Sequence, residues 1–244
     1  MANLDSIARL ADTDGILAVD KPAGLAAHDV VKAVKSRFNL VKAGHGGTLE
    51  TNASGLFLVL LGDATRLSAS LMADDRAWTA EIRLGRSTDT HDADGRLLAE
   101  RPWDGVTREA FDAALKDFKG DIYLAPPEFS AVRLPGSSGY DVVRTAEGDE
   151  LRERMVHVYR IAVAEFAPPS VTLEISATRH ANVRSLAAAI GESLGCGACV
   201  ERLRRTACGK WRVDGAIPFM DALKLDAVAL RERVVPMARR FSLR

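Results

Sequence analysis

Residues 43–55, AGHGGTLETNASG, form a loop that carries one carboxylate, Glu50, and one imidazole, His45, among four glycines. Glycine admits positive φ and lets the backbone approach another group closely. The loop lacks the Lys-Ser/Thr of a P-loop, and Leu49 stands where G-x-G-x-x-G would need a third glycine. That argues against a nucleotide cradle. Two readings remain from the residues alone: a loop presenting Glu50 and His45 to a ligand, or a glycine-rich connection with solvated polar residues.

Cations are clustered although the totals cancel. Residues 31–45 hold Lys32, Lys35, Arg37 and Lys42 without an acid. Residues 202–212 hold Arg202, Arg204, Arg205, Lys210 and Arg212, again without one, and Arg179 and Arg184 lie just upstream. Phosphate binding needs such local excess. Either cluster alone also fits a solvated charged face, whereas both lining one cleft would bind a polyanion. Cys196-x-x-Cys199 with Cys208 and His180 offers four zinc-ligand types. Two of those cysteines lie in or beside an expected strand and no second close pair exists, so small buried thiols are favoured and no metal is expected.

These residues must be held by regular elements. The apolar run 15–21 reads as a buried strand ending in the Lys21-Pro22 turn, and 29–38 as a basic helix with Val30, Val31 and Val34 on one face. After the loop comes a strand at 56–61, then a helix to about Met72 with Asp63 as its cap. Residues 76–84 alternate like a strand, 85–95 read as an acidic loop, and 107–118 as a helix capped by Thr107. Strands at 155–166 and 171–178, an alanine-rich helix at 183–194, a basic strand at 200–207 and a short helical tail complete the chain. Without a strict βαβ rhythm this is an α+β fold with a mixed, largely antiparallel sheet.

The 244 residues suffice for one large domain, and 47% hydrophobic with 27% charged residues is an ordinary globular composition. Thirty-three basic and thirty-three acidic residues exclude a histone-like polycation but leave room for one basic face. No apolar run reaches the roughly 18–20 residues of a membrane span. The first ten residues lack the pattern of a signal peptide, and three cysteines do not make a disulfide framework. A cytoplasmic, reduced protein is expected, monomeric for want of an obvious dimer seam.

Six blocks in order resemble the TruB-type tRNA pseudouridine synthases: residues 15–31, 43–67, 75–95, 126–144, 178–198 and 203–211. The resemblance implies a synthase-like domain over 1–215, with helices flanking the sheet and a central RNA-binding cleft. It leaves 216–244 as a short helical extension without a PUA domain. It further implies isomerisation, without cofactor or metal, of a uridine in the T-loop of tRNA. The base must be flipped, because its reacting carbon is inaccessible inside a folded stack.

In that family an Asp in a G-H-x-G-x-L-D loop is the essential carboxylate, a Tyr on the next strand packs on the base, and an Arg pairs with the Asp. The matching positions here are Glu50, Trp78 and Arg184. His45 matches the loop His that helps place the nucleotide. Lys21, Tyr140, Arg179, Asn182, Leu203, Arg204 and Arg205 fall in blocks implied to contact RNA, and Lys42, directly before the second block, is counted with them. Three departures stand out: Glu50 for Asp, Thr51 for the following Pro, and Trp78 for Tyr; Asn182 also replaces a second aromatic. Glu keeps the charge but adds a methylene, moving the carboxylate by about 1 Å, and a shift of that size can cost about a hundredfold in rate. An indole stacks well but cannot exchange a proton as a phenol does. The binding apparatus is thus better kept than the chemical one. Two readings follow: a working tRNA pseudouridine synthase, or a silent relative that binds or chaperones folded RNA.

Overall fold

The computed structural model describes residues 13–125, 129–132, 141–144 and 153–237. It divides into two compact units, Met1–Asp74 with Arg204–Arg244, and Asp75–Leu203. The first unit opens with β1 (Gly15–Lys21), α1 (Ala27–Arg37), β2 (Ala43–His45) and β3 (Ala53–Leu61). A 3-10 turn, Gly62–Leu67, then leads into α2 (Ser68–Met72). The second unit runs through β4 (Arg76–Leu84), β5 (Arg86–Thr88), β6 (Leu97–Glu100), α3 (Arg108–Ala114) and β7 (Gly120–Leu124). It continues with β8 (Phe129–Val132), β9 (Asp141–Arg144), β10 (Arg154–Ala167), β11 (Ser170–Ala177) and α4 (Val183–Ser193). The unit boundary falls inside β12 (Ala198–Cys208), and the first unit closes with β13 (Trp211–Arg212), β14 (Ile217–Pro218), α5 (Phe219–Ala222), α6 (Ala227–Arg233) and β15 (Val235–Pro236).

In the first unit β1 lies antiparallel to β3 from Gly15↔Leu61 to Lys21↔Gly55. β2 pairs with the last three residues of β3, from Ala43↔Leu61 to His45↔Val59, and β14 joins β1 in parallel. Residues 55–61 of β3 are buried without alternation, which is why that segment reads as a continuous apolar run rather than as one wet and one dry face. On α1, Val30 and Val34 are the buried positions. Arg37 at its last turn donates to the carbonyls of Leu223 and Leu225 at 2.7 and 2.9 Å.

In the second unit β4, β11, β10 and β7 form consecutive antiparallel neighbours. β4 buries Trp78, Ala80, Ile82 and Leu84, the period of two expected of a half-covered strand. Val183, Leu186, Ala187 and Ile190 of α4 bury into the same core. The expected α+β class, with a largely antiparallel sheet and flanking helices, is what the chain adopts.

Two local expectations are corrected. Asp63 caps no α-helix: Gly62 turns the chain at φ +57° and a 3-10 turn follows. The Asp63 amide instead donates to Asp14 Oδ1 at 2.7 Å. The acidic 85–95 segment is not wholly loop, because Arg86–Thr88 pairs with Leu97–Glu100. Thr107 does cap α3, accepting the Ala110 amide at 3.2 Å.

Candidate functional site

Glu50 belongs to the first unit, and its backbone is fixed from three sides. Arg205, only 3% exposed, donates from Nε to the Leu56 carbonyl and from Nη1 to the Thr48 carbonyl, both at 2.8 Å. Lys21, fully buried, donates from Nζ to the carbonyls of Pro22, Leu25 and Thr51 at 2.9, 2.8 and 3.1 Å. The Gly24 amide reaches the same Thr51 carbonyl at 2.8 Å, and the Glu50 carbonyl accepts from Ala53 at 3.1 Å. Leu49 is buried beside them. The carboxylate therefore stands on a segment whose flanking carbonyls are clamped by two buried cations, the preorganisation that chemistry at one oxygen requires.

Gly55 closes that segment. It sits at φ +102°, and a Cβ there would lie 2.2 Å from the Arg205 carbonyl oxygen, so no side chain fits. Burial, and then the Arg205 charge, push the Lys21 ammonium down to about 8. The same two causes hold the His45 imidazole below its ordinary value. His45 Nδ1 accepts the Gly47 amide at 3.3 Å, which puts the proton of the neutral ring on Nε2. The ring packs on Phe57 with centroids 5.7 Å apart. Arg204 forms a bidentate pair with Asp20 at 2.9 and 2.7 Å. Lys42 is exposed next to β2.

Trp78, Arg184, Arg179, Asn182 and Leu203 belong to the second unit. Trp78 is 6% exposed, opposite Ile175 on the core face of the sheet. Arg184, equally buried, donates from Nη1 to the Thr90 carbonyl at 2.7 Å and lies 3.3 Å from Asp92 Oδ2. Asp92 is itself oriented by the Thr90 hydroxyl at 2.7 Å and the Asp94 amide at 3.2 Å. The acidic segment thus holds the guanidinium of Arg184. Asn182 caps α4, its Oδ1 accepting the amides of Arg184 and Ser185 at 2.9 and 3.2 Å. Leu203 packs against the core of its unit, Arg179 is exposed, and Tyr140 lies outside the described residues.

Sequence reading missed Asp20, Thr90 and Asp92. Asp20 lies 184 residues from Arg204, beyond any local charge scan. The Asn182 cap was open to detection, since Asn directly before an apolar helical run is a start signal. The three cysteines are free and buried. Burial raises the thiols of Cys196 and Cys199, so both stay protonated near neutrality.

Comparison with known proteins supplies the class. The N-terminal domain of the TruB family pseudouridylate synthases matches residues 35–183, and the C-terminal domain of tRNA pseudouridylate synthase B matches residues 184–241. The tRNA pseudouridine synthase B of Opitutus terrae is 35% identical over 232 residues, covering 93% of this chain and 94% of its own. That of Azoarcus sp. is 36% identical over 219 residues, 90% of this chain and 72% of its own. A chain of the Cbf5-Nop10-Gar1 complex superimposes with a TM-score of 0.73 at 29% identity, over 93% of this chain and 61% of that one. The chain belongs to the TruB family of pseudouridylate synthases. Nothing in these comparisons favours a silent RNA binder. Among the described residues no helix is long and apolar enough to cross a membrane.

Proposed function

We propose that this protein isomerises a uridine of tRNA, the one in the T-loop, to pseudouridine. In that reaction the N1–C1′ bond of the flipped nucleotide breaks, the uracil turns, a C5–C1′ bond forms, the C5 proton leaves and N1 takes up a proton, so no atom is gained or lost. We assign the reacting carboxylate to Glu50, the base-stacking face to Trp78 and the charge-compensating guanidinium to Arg184. An indole takes up no proton, so here the C5 proton goes to a group other than residue 78. His45, with its Nε2 proton, is the proposed hydrogen-bond donor to the everted nucleotide. Lys42 and Arg179, both exposed, are proposed phosphate contacts. Residues 1–215 would form the synthase domain of a monomer working in the cytoplasm.

The observation that carries this reading is the clamped segment around Glu50. A loop that merely joined two strands would not need a fully buried lysine and a buried arginine on its carbonyls. Three cations take other roles in this reading. Arg205 and Lys21 act by positioning the loop, and Arg204 is a phosphate ligand only if RNA competes with Asp20.

The test is pseudouridine formation in a tRNA transcript by wild type, Glu50→Ala, Glu50→Asp and Trp78→Tyr. Product from wild type that vanishes in Glu50→Ala supports the assignment. No product from wild type at any enzyme concentration, with salt-sensitive tRNA binding intact, would favour the silent relative.

A further inference from the structure

Pseudouridine formation takes a proton from C5 of the uracil and gives one to N1, so some group must accept the first. Trp78 cannot, because an indole N–H only donates. Nor can the cations. Lys21 spends its Nζ hydrogens on the carbonyls of Pro22, Leu25 and Thr51, and at about 8 it is mostly an ammonium near neutrality. Arg184 and Arg205 stay protonated at any pH the protein meets. His45 Nδ1 accepts the Gly47 amide, and burial with the Arg205 charge disfavours the imidazolium. That ring therefore donates through Nε2 and is a poor base.

Two carboxylates bound to arginines of the site have donors on both oxygens. Asp20 holds the guanidinium of Arg204 at 2.9 and 2.7 Å. Asp92 Oδ1 accepts the Thr90 hydroxyl and the Asp94 amide at 2.7 and 3.2 Å, and its Oδ2 lies 3.3 Å from Arg184 Nη1. Glu50 has another setting. It is half-buried, and the carbonyls on either side of it are held by Arg205 at Thr48 and by Lys21 at Thr51. With the backbone fixed, the methylene by which Glu exceeds Asp lengthens the side chain instead of being taken up by the loop.

We propose that Glu50 also accepts the C5 proton, so that one carboxylate serves the sugar and then the base. This second role rests on the reading of the protein as a pseudouridine synthase. The C5–C1′ bond forms first, with Glu50 again a carboxylate. One of its oxygens then takes the C5 proton, the C–H electron pair closes the C5–C6 double bond, and the C6–N1 pair moves onto N1. N1 takes up a proton from water, and the Glu50 carboxyl returns its own to water. Glu50 and Trp78 are thereby one change in two residues: a longer acid carries the proton, and residue 78 has only to stack.

The experiment follows single-turnover pseudouridine formation in a T-arm RNA carrying uridine or 5-deuterouridine at the target. The proteins are wild type, Glu50→Asp, Glu50→Asp combined with Trp78→Tyr, and His91→Asn. Asn tolerates the φ of +59° at position 91, so that variant tests the imidazole next to Asp92 in sequence. Drawing the carboxylate back in Glu50→Asp should slow the C5 step about tenfold or more and raise the deuterium effect to about twofold or more. Adding Trp78→Tyr supplies a phenol, which should restore the rate to within about threefold of wild type and lower the deuterium effect again. A Glu50→Asp protein inactive on both RNAs supports the proposal if Trp78→Tyr restores it and overturns it otherwise. A deuterium effect in Glu50→Asp no larger than in wild type, or one that rises in His91→Asn instead, overturns the proposal and leaves the enzymatic reading intact. Wild type that forms no pseudouridine overturns both.

Discussion

Replacing Arg205 by methionine separates a positioning role from a phosphate-binding one. The guanidinium makes two charge-assisted hydrogen bonds, each 2.8 Å long, to the carbonyls of Thr48 and Leu56 at a position only 3% exposed. Hydrogen bonds to charged groups are worth about 1.5–3 kcal/mol each. Relief of a buried charge returns part of that, so a net loss of about 2–4 kcal/mol is expected, lowering Tm by about 5–15 °C for a chain of this size. The larger consequence is local. With Thr48 and Leu56 released, Glu50 shifts by a fraction of an ångström to an ångström, and kcat should fall by about a hundredfold. The Arg205 charge also depresses His45 and Lys21, so in the variant His45 should titrate higher and Lys21 should move up from about 8. Single-turnover pseudouridine formation, thermal melting and histidine NMR read the three effects, and tRNA affinity at matched salt should change little. Full turnover with an unchanged His45 titration would refute the clamp; unchanged kcat with a reduced salt slope would return Arg205 to the RNA-contacting residues.

The depressed Lys21 fixes a sign for stability against pH. Its folded pKa of about 8 lies below the reference of 10.5, so the unfolded chain binds more protons between those values and stability rises with pH across that window. The gain is about 3 kcal/mol when complete, and wild type minus Lys21→Met in denaturant titrations from pH 7 to 10.5 should show it; a flat difference would contradict the burial. Gly55→Ala should cost more than about 3 kcal/mol, since φ +102° and the Arg205 carbonyl both oppose a Cβ, and soluble, wild-type-like melting would argue against the register there. Asn182→Ala removes the α4 cap and should cost about 1 kcal/mol in a melt, with Asn182→Ser recovering most of it.

The elements that sequence reading placed well are those whose signal is local. β4 occupies Arg76–Leu84, as the alternation of Trp78, Ala80 and Ile82 predicts, and α4 ends one residue short of the expected 183–194. The 3-10 turn at Gly62–Leu67 was hidden because a helix and a 3-10 turn share nearly the same apolar spacing over one or two turns. Charge was harder still. The 202–212 cluster has no acid within it, yet Arg202 is bonded to Glu81 and Arg204 to Asp20, partners 121 and 184 residues away. A basic stretch in sequence is therefore a poor measure of free cationic surface until the sheet register is known. Glu50 was visible because the motif around it is contiguous; its clamp was not, because Lys21 and Arg205 come from opposite ends of the chain.

The claim on which the functional account stands is that the Glu50 carboxylate carries the chemistry. Glu50→Gln keeps the shape and removes the charge, and its single-turnover formation of pseudouridine in a T-arm RNA at saturating enzyme tests that claim directly. The account predicts product from wild type, none above background from Glu50→Gln, and RNA affinity equal within about threefold, because the clamp bonds carbonyls and not the carboxylate. Equal turnover by the two proteins would contradict it.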